Sequence, residues 1–489
     1  MAKNLKQKAV SGMVWTAIQK YSKMGIQFVS GIILARLLTP YDYGCIGMLA
    51  IFMVVAETFI DGGFGSALIQ KKRPSQEDYS TIFFWNLGLA TFMYTILYFS
   101  APAIARFYKI PILCEVLRVQ GLILFIYALN LIQLNQLKKQ LRFKIIAVVR
   151  IVTSIISLII TIIMAYMGFG VWALVTQNLI GAAIPAVVFW GYTKWKPAWT
   201  FSWKSFKELF DFGIFMFMTH LLNNISTQLQ GLFIGRLYNP ATLGYYSKAH
   251  GTERLASGTI TGVMTAVTYP LYAEVQDNLP KMQNMIKRLT STISFITFPL
   301  LAVLLLVAKP VFVLLYSDRW VESVPYFQML CIAGMGGCLT SVNTQCIAAI
   351  GKSKVMFCWT VIKRVVGLIC IIGGLYLFGM YGLLVGVVIN HWFSYFVNIW
   401  LVSKYIGYKW TTQCLDLLPI ALTTAVAGTV TYFCVDLMGL EMYFDGLVKF
   451  VVFAILYIAW FLSAKPESYL YTKSIVSPVI TKYRNKYHF

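Results

Sequence analysis

Long apolar segments follow one another from residue 12 to residue 464, separated by short polar stretches. A helix needs about 20 mainly apolar residues to cross the hydrocarbon core of a bilayer. Fourteen segments have this character, near residues 12–35, 43–69, 81–105, 113–136, 145–167, 170–192, 209–235, 242–272, 289–315, 324–349, 355–378, 381–403, 415–436 and 446–464. The pattern predicts an all-α integral membrane protein with about 14 transmembrane helices.

A repeat of 200 residues relates the two halves of the chain. Residues 31–44 read GIILARLLTPYDYG, and residues 231–244 read GLFIGRLYNPATLG. Six predicted spans separate the copies, and an even number preserves orientation, so the halves are parallel repeats. We therefore predict two six-helix repeats that face each other across a cavity, with two C-terminal helices outside it.

These predicted spans divide the chain into four parts. They are an N-terminal six-helix lobe (1–192), a cytoplasmic linker (193–208), a C-terminal six-helix lobe (209–405), and two extra helices with a cytoplasmic basic tail (406–489). In the linker, Trp195, Trp199 and Trp203 suit an interfacial anchor. Ser205 and Glu208 have the spacing of a capping box for the seventh span.

Composition excludes a soluble enzyme, because 58% of the residues are hydrophobic and only 12% are charged. The formal net charge of +23 comes from 41 Lys and Arg against 18 Asp and Glu. With the N-terminus inside, 29 of the basic residues fall on the inner side and seven on the outer side. This follows the positive-inside rule, so both termini are predicted to be cytoplasmic and no nucleic-acid partner is needed to explain the charge.

Polar side chains form matching stripes on the first and seventh spans. Side chains three or four residues apart share one face of a helix. In the first span this face holds Lys20, Lys23 and Gln27. The seventh span carries polar side chains at the corresponding positions and beside them: His220, Asn223, Asn224, Thr227 and Gln228. Matching faces in both halves predict that the two helices line one central cavity.

The second and eighth spans add charge to this predicted cavity. Glu57 and Asp61 lie four residues apart in the second span, whereas the eighth span is basic, with Lys248, His250 and Arg254. Ionisable residues inside spans are costly and are functional candidates. We predict Lys20, Lys23, Lys248 and Arg254 as substrate-binding cations, the stripe on the seventh span with Gln27 and His250 as polar lining, and Glu57 and Asp61 as ion-coupling residues.

Structural explanations of the same residues remain open. Lys20 and Lys23 also suit snorkelling to the inner interface, and Glu57 and Asp61 suit a role as counter-charges. Arg150 and Arg364, at the start of two spans, are predicted to anchor the inner leaflet. The chain has no phosphate-binding loop and no H-E-x-x-H metal motif. We predict no catalytic residue, metal or cofactor. We do predict coupling of transport to H+ or Na+.

Several segments together resemble a known family. They are Gly12-Met-Val-Trp15, ILARLLTPYDYG (33–44), DGGFGSALIQKK (61–72), GFGVWALV (168–175) and GRLYNPATLGYYSKA (235–249). They are similar to the polysaccharide transporter family of Wzx-type flippases, within the multidrug/oligosaccharidyl-lipid/polysaccharide exporter superfamily. The resemblance implies a V-shaped transporter of two six-helix lobes with two extra helices.

The function that the resemblance implies is translocation of a polyprenyl-diphosphate-linked oligosaccharide, such as an O-antigen, capsule or exopolysaccharide unit, across the bacterial cytoplasmic membrane. The expected partners are the lipid-linked oligosaccharide, membrane lipids, and the glycan polymerase and glycosyltransferases of the pathway. Two alternatives stay open. One is a cation-coupled exporter of small drugs or metabolites, and the other is a membrane-embedded enzyme of glycan assembly.

Overall fold

A computed structural model describes residues 2–464 of the chain, so the predicted C-terminal basic tail lies outside the described residues. The described part is helical and contains no strand. Its helices are α1 (Ala2–Leu37), α2 (Pro40–Asp61), α3 (Phe64–Gln70), α4 (Gln76–Tyr108), α5 (Ile112–Gln120), α6 (Ile123–Lys139), α7 (Phe143–Tyr166), α8 (Val171–Thr193), α9 (Trp203–Leu237), α10 (Pro240–Glu274), α11 (Leu279–Leu306), α12 (Ala308–Tyr316), α13 (Ser323–Ala349), α14 (Ser353–Ile406), α15 (Trp410–Asp436) and α16 (Met442–Ala464).

Ten helical stretches within residues 2–464 are long and apolar enough to cross a membrane. The predicted all-α membrane fold is therefore confirmed, whereas the count of fourteen spans stays a prediction. The ten do not include α1, α9 or α10. These three helices carry the polar stripes. The polar side chains that make them candidates for the site also lower their hydropathy.

The longest helix, α14, is two helices joined at a sharp kink. Phe378 has φ −130° and Gly379 has φ 65° and ψ −145°, outside the helical region. The two halves fold back closely on each other, since a Cβ on Gly374 would overlap the backbone of Gly382. The separate predicted spans 355–378 and 381–403 correspond to these halves. In the first half of the chain, Gly170 has a similar conformation (φ 52°, ψ −124°) at the start of α8.

Local signals in the sequence explain where α2 begins and ends. Thr39 and Asp42 form a reciprocal capping box, and Pro40 occupies the first helical turn. At the other end, Gly62 adopts the left-handed conformation (φ 52°) that terminates helices. The next residue, Gly63, lies so close to α9 that a Cβ there would overlap the carbonyl of Gly213. The predicted span 43–69 is therefore broken into α2 and α3.

Repeat-related residues meet where the first turns of α2 and α10 cross. A Cβ on Gly44 would overlap the backbone of Pro240, and a Cβ on Gly244 would overlap the backbone of Pro40. These four residues are two pairs at the 200-residue spacing. The contact is reciprocal, as it is when equivalent segments pack around a local two-fold axis. The repeated Pro and Gly positions therefore have a physical reason, which is close backbone packing.

The chain packs as two compact units, which we call unit 1 (ending at Ser247) and unit 2 (beginning at Lys248). The division lies within α10, so unit 1 holds α1 to α9 with the start of α10. The boundaries predicted from the spans stay a prediction. In unit 2, the main core joins α11, α13, α14 and α15 through apolar side chains that include Ile286, Leu339, Val402 and Ile420.

The linker between α8 and α9 is held against the start of α4 by hydrogen bonds. The backbone N–H groups of Ala198 and Ser202 donate to the buried hydroxyls of Ser80 (2.9 Å) and Thr81 (3.0 Å). The Trp195 indole N–H donates to the Gln76 side chain (2.6 Å). Side chains of α4 thus satisfy backbone donors that lack a regular partner.

The predicted capping box at Ser205 and Glu208 is wrong. The N-cap of α9 is Ser202, whose hydroxyl accepts from the Ser205 N–H, and the helix begins at Trp203. Glu208 instead forms an ion pair with Lys71. The cap lies three residues earlier because Ser202 is the residue that leaves the hydrogen-bonded linker. Trp199 and Trp203 are 94% and 65% exposed, as an interfacial anchor requires.

Lys71 joins three elements at the end of α3. Its ammonium lies 3.1 Å from Asp78 at the start of α4 and 3.0 Å from Glu208 in α9. Partial burial acts to lower the pKa of Lys71, but the hydrogen bonds to Glu208 and Asp78 outweigh burial, and the pKa lies above the ordinary lysine value of 10.5. A folded-state pKa above the unfolded value contributes stability that is complete below the unfolded pKa. That stability is lost as the pH rises through the folded pKa.

We expect Lys71→Met to lower the thermal unfolding temperature at neutral pH, because Asp78 and Glu208 lose their shared partner. Thermal unfolding of the purified protein, followed at several pH values, checks this. The difference between wild type and Lys71→Met should be constant up to the usual lysine range and shrink at higher pH. Lys72→Met, at an exposed neighbour, is the control and should have no such effect. A difference that persists unchanged at the highest pH would mean that the charge of Lys71 is unimportant.

Candidate substrate site

Titratable side chains from five helices interact electrostatically in sequence inside unit 1. Lys23 of α1 lies within electrostatic range of Arg150 of α7, and Lys138 of α6 lies within range of both Arg150 and Asp61. Asp61 of α2 also interacts with His220 of α9. The predicted residues Lys23, Asp61 and His220 are thus linked through Lys138 and Arg150 in a chain of pairwise electrostatic interactions. We call this group of five residues the unit 1 cluster.

The acidic residues of α2 lie beside this cluster. Glu57 and Asp61 are half-buried, and both are within electrostatic range of Tyr127 on α6. A glycine makes room for one of them, because the Asp61 Oδ1 atom lies 3.1 Å from the position that a Cβ on Gly65 would occupy. The Asn135 amide nitrogen lies at the same distance from that position. Because Gly65 has no side chain, the Asp61 and Asn135 side chains share the space beside it.

The cations of the unit 1 cluster are not neutralised by direct ion pairs. Within residues 2–464, no carboxylate oxygen lies within 4.0 Å of the side-chain nitrogens of Lys23, Lys138 or Arg150. Three cations and the two carboxylates of α2 leave this region with a positive balance. Fixed, incompletely paired cations in a membrane protein favour an anionic ligand.

The rest of the α1 stripe divides between open and packed positions. Lys20 and Gln27 are exposed, like Lys23. One further turn along, Ser30 is buried, and its hydroxyl lies 3.5 Å from the Gln177 amide of α8. The polar face of α1 is therefore accessible over its middle turns and closed against α8 beyond them.

The α9 stripe behaves in the same way. His220, Asn223 and Thr227 are exposed, and Gln228 is half-buried. Asn224 instead donates to the Thr58 hydroxyl of α2 (2.8 Å), so it contributes to helix packing. The exposed members of the stripe are accessible from outside the helix packing, whereas Asn224 positions α9 on α2.

In unit 2, the predicted residues lie in different surroundings. Lys248 is only 8% exposed, and its ammonium lies 4.1 Å from the ring centre of Tyr316 and 5.3 Å from that of Trp320. Cation–π contacts of this kind stabilise a buried lysine. Lys248 therefore packs in an aromatic environment rather than on an open wall, and its predicted part in substrate binding stays a prediction.

The other predicted residues of α10 lie near a second histidine. His250 is within electrostatic range of Arg254 and of His391 on α14, and His391 also interacts with Arg364. Arg254 is exposed, as a ligand-binding cation must be. His391 packs against α13, where a Cβ on Gly337 would lie 2.9 Å from its Nδ1 atom.

Lys138 and Arg150 are the site residues that sequence reasoning missed. From the sequence, Arg150 is predicted as an inner-leaflet anchor and Lys138 is assigned no role. Arg150 is, however, the eighth residue of α7, which begins at Phe143, and so lies two turns or about 10 Å along the helix. Counting residues from the start of α7 shows that Arg150 lies within the helix and not at its end.

Comparison with known proteins decides the family. Residues 33–325 match the family described as "Polysaccharide biosynthesis protein". The chain belongs to this family. The resemblance noted from the sequence motifs is thereby confirmed.

Curated relatives cover most of the chain. It is 25% identical to the teichuronic acid biosynthesis protein TuaB of Bacillus subtilis (strain 168), over 73% of this chain and 74% of TuaB. It is 23% identical to the lipopolysaccharide biosynthesis protein WzxC of Escherichia coli (strain K12), over 81% of this chain and 82% of WzxC. The similarity thus extends over most of this chain and of both relatives.

Solved structures share the fold. The lipid II flippase MurJ, in an inward closed conformation, matches 92% of this chain and 99% of its own, with a TM-score of 0.71 and 15% identity. An inward-facing multidrug resistance MATE transporter of the MOP superfamily matches 81% of this chain and 98% of its own, with a TM-score of 0.62 and 16% identity. The chain is a multi-pass membrane protein with this transporter fold.

Proposed function

We propose that this protein is a flippase that moves a polyprenyl-diphosphate-linked oligosaccharide from the inner to the outer leaflet of the bacterial cytoplasmic membrane. Membership of the polysaccharide biosynthesis family supports the pathway, and the fold shared with a lipid II flippase supports the type of transport. The protein works by alternating access, with both termini in the cytoplasm. It requires no cofactor and catalyses no bond change in its substrate.

The unit 1 cluster is the observation that carries this proposal. A diphosphate is strongly hydrated, and placing even one charged side chain at the centre of a spanning helix costs about 2.5–3.5 kcal/mol on insertion scales. A diphosphate crosses only if protein groups replace its water. Lys23, Lys138 and Arg150, which have no carboxylate within 4.0 Å in residues 2–464, would supply that replacement.

The remaining residues have complementary roles in the proposal. His220, Asn223 and Thr227 on the exposed stripe of α9 hydrogen-bond sugar hydroxyls, while the prenyl tail stays in lipid. Glu57 and Asp61 bind the coupling ion, H+ or Na+, and so bias the inward-facing state. Glycosyltransferases that build the lipid-linked unit act before this step, and a glycan polymerase acts after it.

Deleting the gene in its own host tests this function. We expect surface polysaccharide to disappear while complete lipid-linked repeat units accumulate, since assembly precedes transfer across the membrane. Re-expression of the chain should restore export. Extraction and mass analysis of the lipid-linked pool measures the outcome. A deletion strain that lacks the complete repeat unit would instead indicate an enzyme of assembly, and one that still exports polymer would exclude the flippase.

A further inference from the structure

One acidic residue of α10 has no role in the function proposed above. Glu253 lies in unit 2 and is only 7% exposed. Its Oε1 atom has no hydrogen-bond partner among the described residues. Sequence reasoning passed over it, because the adjacent Arg254 and nearby Lys248 and His250 make this helix look uniformly basic. A buried carboxyl group with an unpartnered oxygen requires a physical explanation.

The carboxyl group faces α13 at a position that has no side chain. A Cβ on Gly334 would overlap the Glu253 Oε1 atom, and Leu301 of α11 lies 3.4 Å from the same Cβ position. Gly334 therefore leaves a space that the carboxyl group fills. The walls of this space are helix backbone and an aliphatic side chain, which do not stabilise a negative charge.

A polar seam continues from Glu253 along the contact between α10 and α13. Glu253, Ser257 and Thr261 are spaced four residues apart and so share one face of α10. The Ser257 side chain hydrogen-bonds to the Glu253 carboxyl group. Further along, the Thr261 hydroxyl donates to Cys338 Sγ (3.4 Å), and the Cys338 thiol donates to the Ser257 carbonyl (3.8 Å). The seam is a chain of groups that donate and accept hydrogen bonds.

The charged and titratable groups around Glu253 do not pair with it. Arg254 on the same helix interacts with it electrostatically, as do the thiols of Cys331 and Cys338 on α13. On α11 the neighbour is Leu301, and His391 of α14 reaches α10 at His250. In the part of the chain that the structure describes, no basic nitrogen lies within 4.0 Å of the Glu253 carboxylate. An ionised carboxylate in such a place is costly, whereas a protonated one is neutral and can donate a hydrogen bond.

We propose that Glu253 is a proton-binding site, which takes up one proton to form the carboxylic acid when the seam is closed and releases it to water when α10 and α13 separate. Thiols and aliphatic groups are poor ligands for a hard cation such as Na+, so the surroundings favour a proton. The link to transport rests on the proposed function, since proton release would then drive the return of the empty carrier. Proton binding itself does not depend on that function.

Infrared difference spectroscopy of the purified full-length protein in lipid nanodiscs tests proton binding directly. We expect wild-type protein to show a carbonyl band of protonated carboxyl groups that loses intensity as the pH rises, and Glu253→Gln to lack part of that band. Glu115→Gln, at an exposed position of α5, is the control and should leave the band unchanged. Gly334→Ala, which pushes a methyl group against the Oε1 atom, should shift the band of Glu253 without removing a carboxyl group.

The outcomes separate this inference from the flippase proposal. If Glu253→Gln retains the full carbonyl band, or Gly334→Ala leaves it unshifted, Glu253 does not bind the proton and the inference is overturned. Circular dichroism and thermal unfolding establish that both variants fold. In vesicles that transport substrate, Glu253→Gln should lose part of the acceleration that a proton gradient gives to wild type. Vesicles without any transport would contradict the proposed function and leave the infrared result standing.

Discussion

Replacing Arg150 with glutamine is expected to reduce polysaccharide export by about 10- to 150-fold. Arg150 contributes the guanidinium group of the unit 1 cluster. It lies within electrostatic range of Lys23, Lys138 and Tyr127. A hydrogen bond to a charged group contributes about 1.5–3 kcal/mol. Every 1.36 kcal/mol of lost transition-state stabilisation lowers a rate tenfold. Loss of the positive charge therefore slows transfer of the diphosphate, and the Lys23→Gln/Arg150→Gln double variant should fall to background.

Surface polysaccharide, normalised to the amount of membrane-inserted protein, measures this effect. Arg150→Lys retains the charge and should keep most of the activity. The matched control is Arg118→Gln, because Arg118 is also a half-buried arginine of unit 1 but packs over the Tyr98 ring (4.3 Å). If Arg150→Gln exports as well as Arg118→Gln, the cations of the unit 1 cluster do not bind the substrate.

Gly244→Ala is expected to destabilise the protein through the crossing of α2 and α10. The new methyl group would overlap the backbone of Pro40, which cannot rotate away as a flexible side chain can. Overpacking of this kind costs about 1–3 kcal/mol, and this outweighs the roughly 0.5–1 kcal/mol that alanine gains over glycine in a helix. We expect a lower apparent unfolding temperature in detergent and less protein in the membrane.

Two further variants give this prediction its control. Gly251 lies on the same helix with nothing within 4 Å of its Cβ position, so Gly251→Ala should be neutral or slightly stabilising. The double variant Gly44→Ala/Gly244→Ala should be less destabilised than the sum of the single variants, because one forced separation relieves both overlaps. Equal unfolding temperatures for Gly244→Ala and Gly251→Ala would show that the crossing is not a close backbone contact.

The sequence predicted those parts of the fold that depend on local pattern. Apolar segment length predicted the all-α membrane fold. Breaks inside apolar segments were missed, as at Gly62–Gly63, because a hydropathy pattern carries no information about positive φ angles. The start of α9 was misplaced since Ser202 and Ser205 are both acceptable caps. The choice between them depends on the hydrogen bond from the Ser202 N–H to Thr81, which joins residues 121 apart in sequence.

The candidate site was predictable only within single helices. The stripe containing Lys23 and the pair Glu57 and Asp61 follow from helical spacing. The approach of Lys138 and Arg150 depends on how α7 packs against α1 and α6, and the residue pattern of a single sequence does not reveal that packing. Glu253 was missed for a related reason, since its significance lies in the missing side chain of Gly334, 81 positions away.

The central claim is that fixed cations in unit 1 carry an anionic lipid head group across the membrane. It is tested most directly with purified protein in proteoliposomes containing a fluorescent polyprenyl-diphosphate oligosaccharide and an external, membrane-impermeant quencher. Wild-type protein is predicted to expose the inner-leaflet label to the quencher, and Lys23→Gln/Arg150→Gln is predicted to leave it protected. Two results would contradict the account. In one, the inner-leaflet label is as protected with wild-type protein as in protein-free vesicles. In the other, wild type and the double variant expose the label equally.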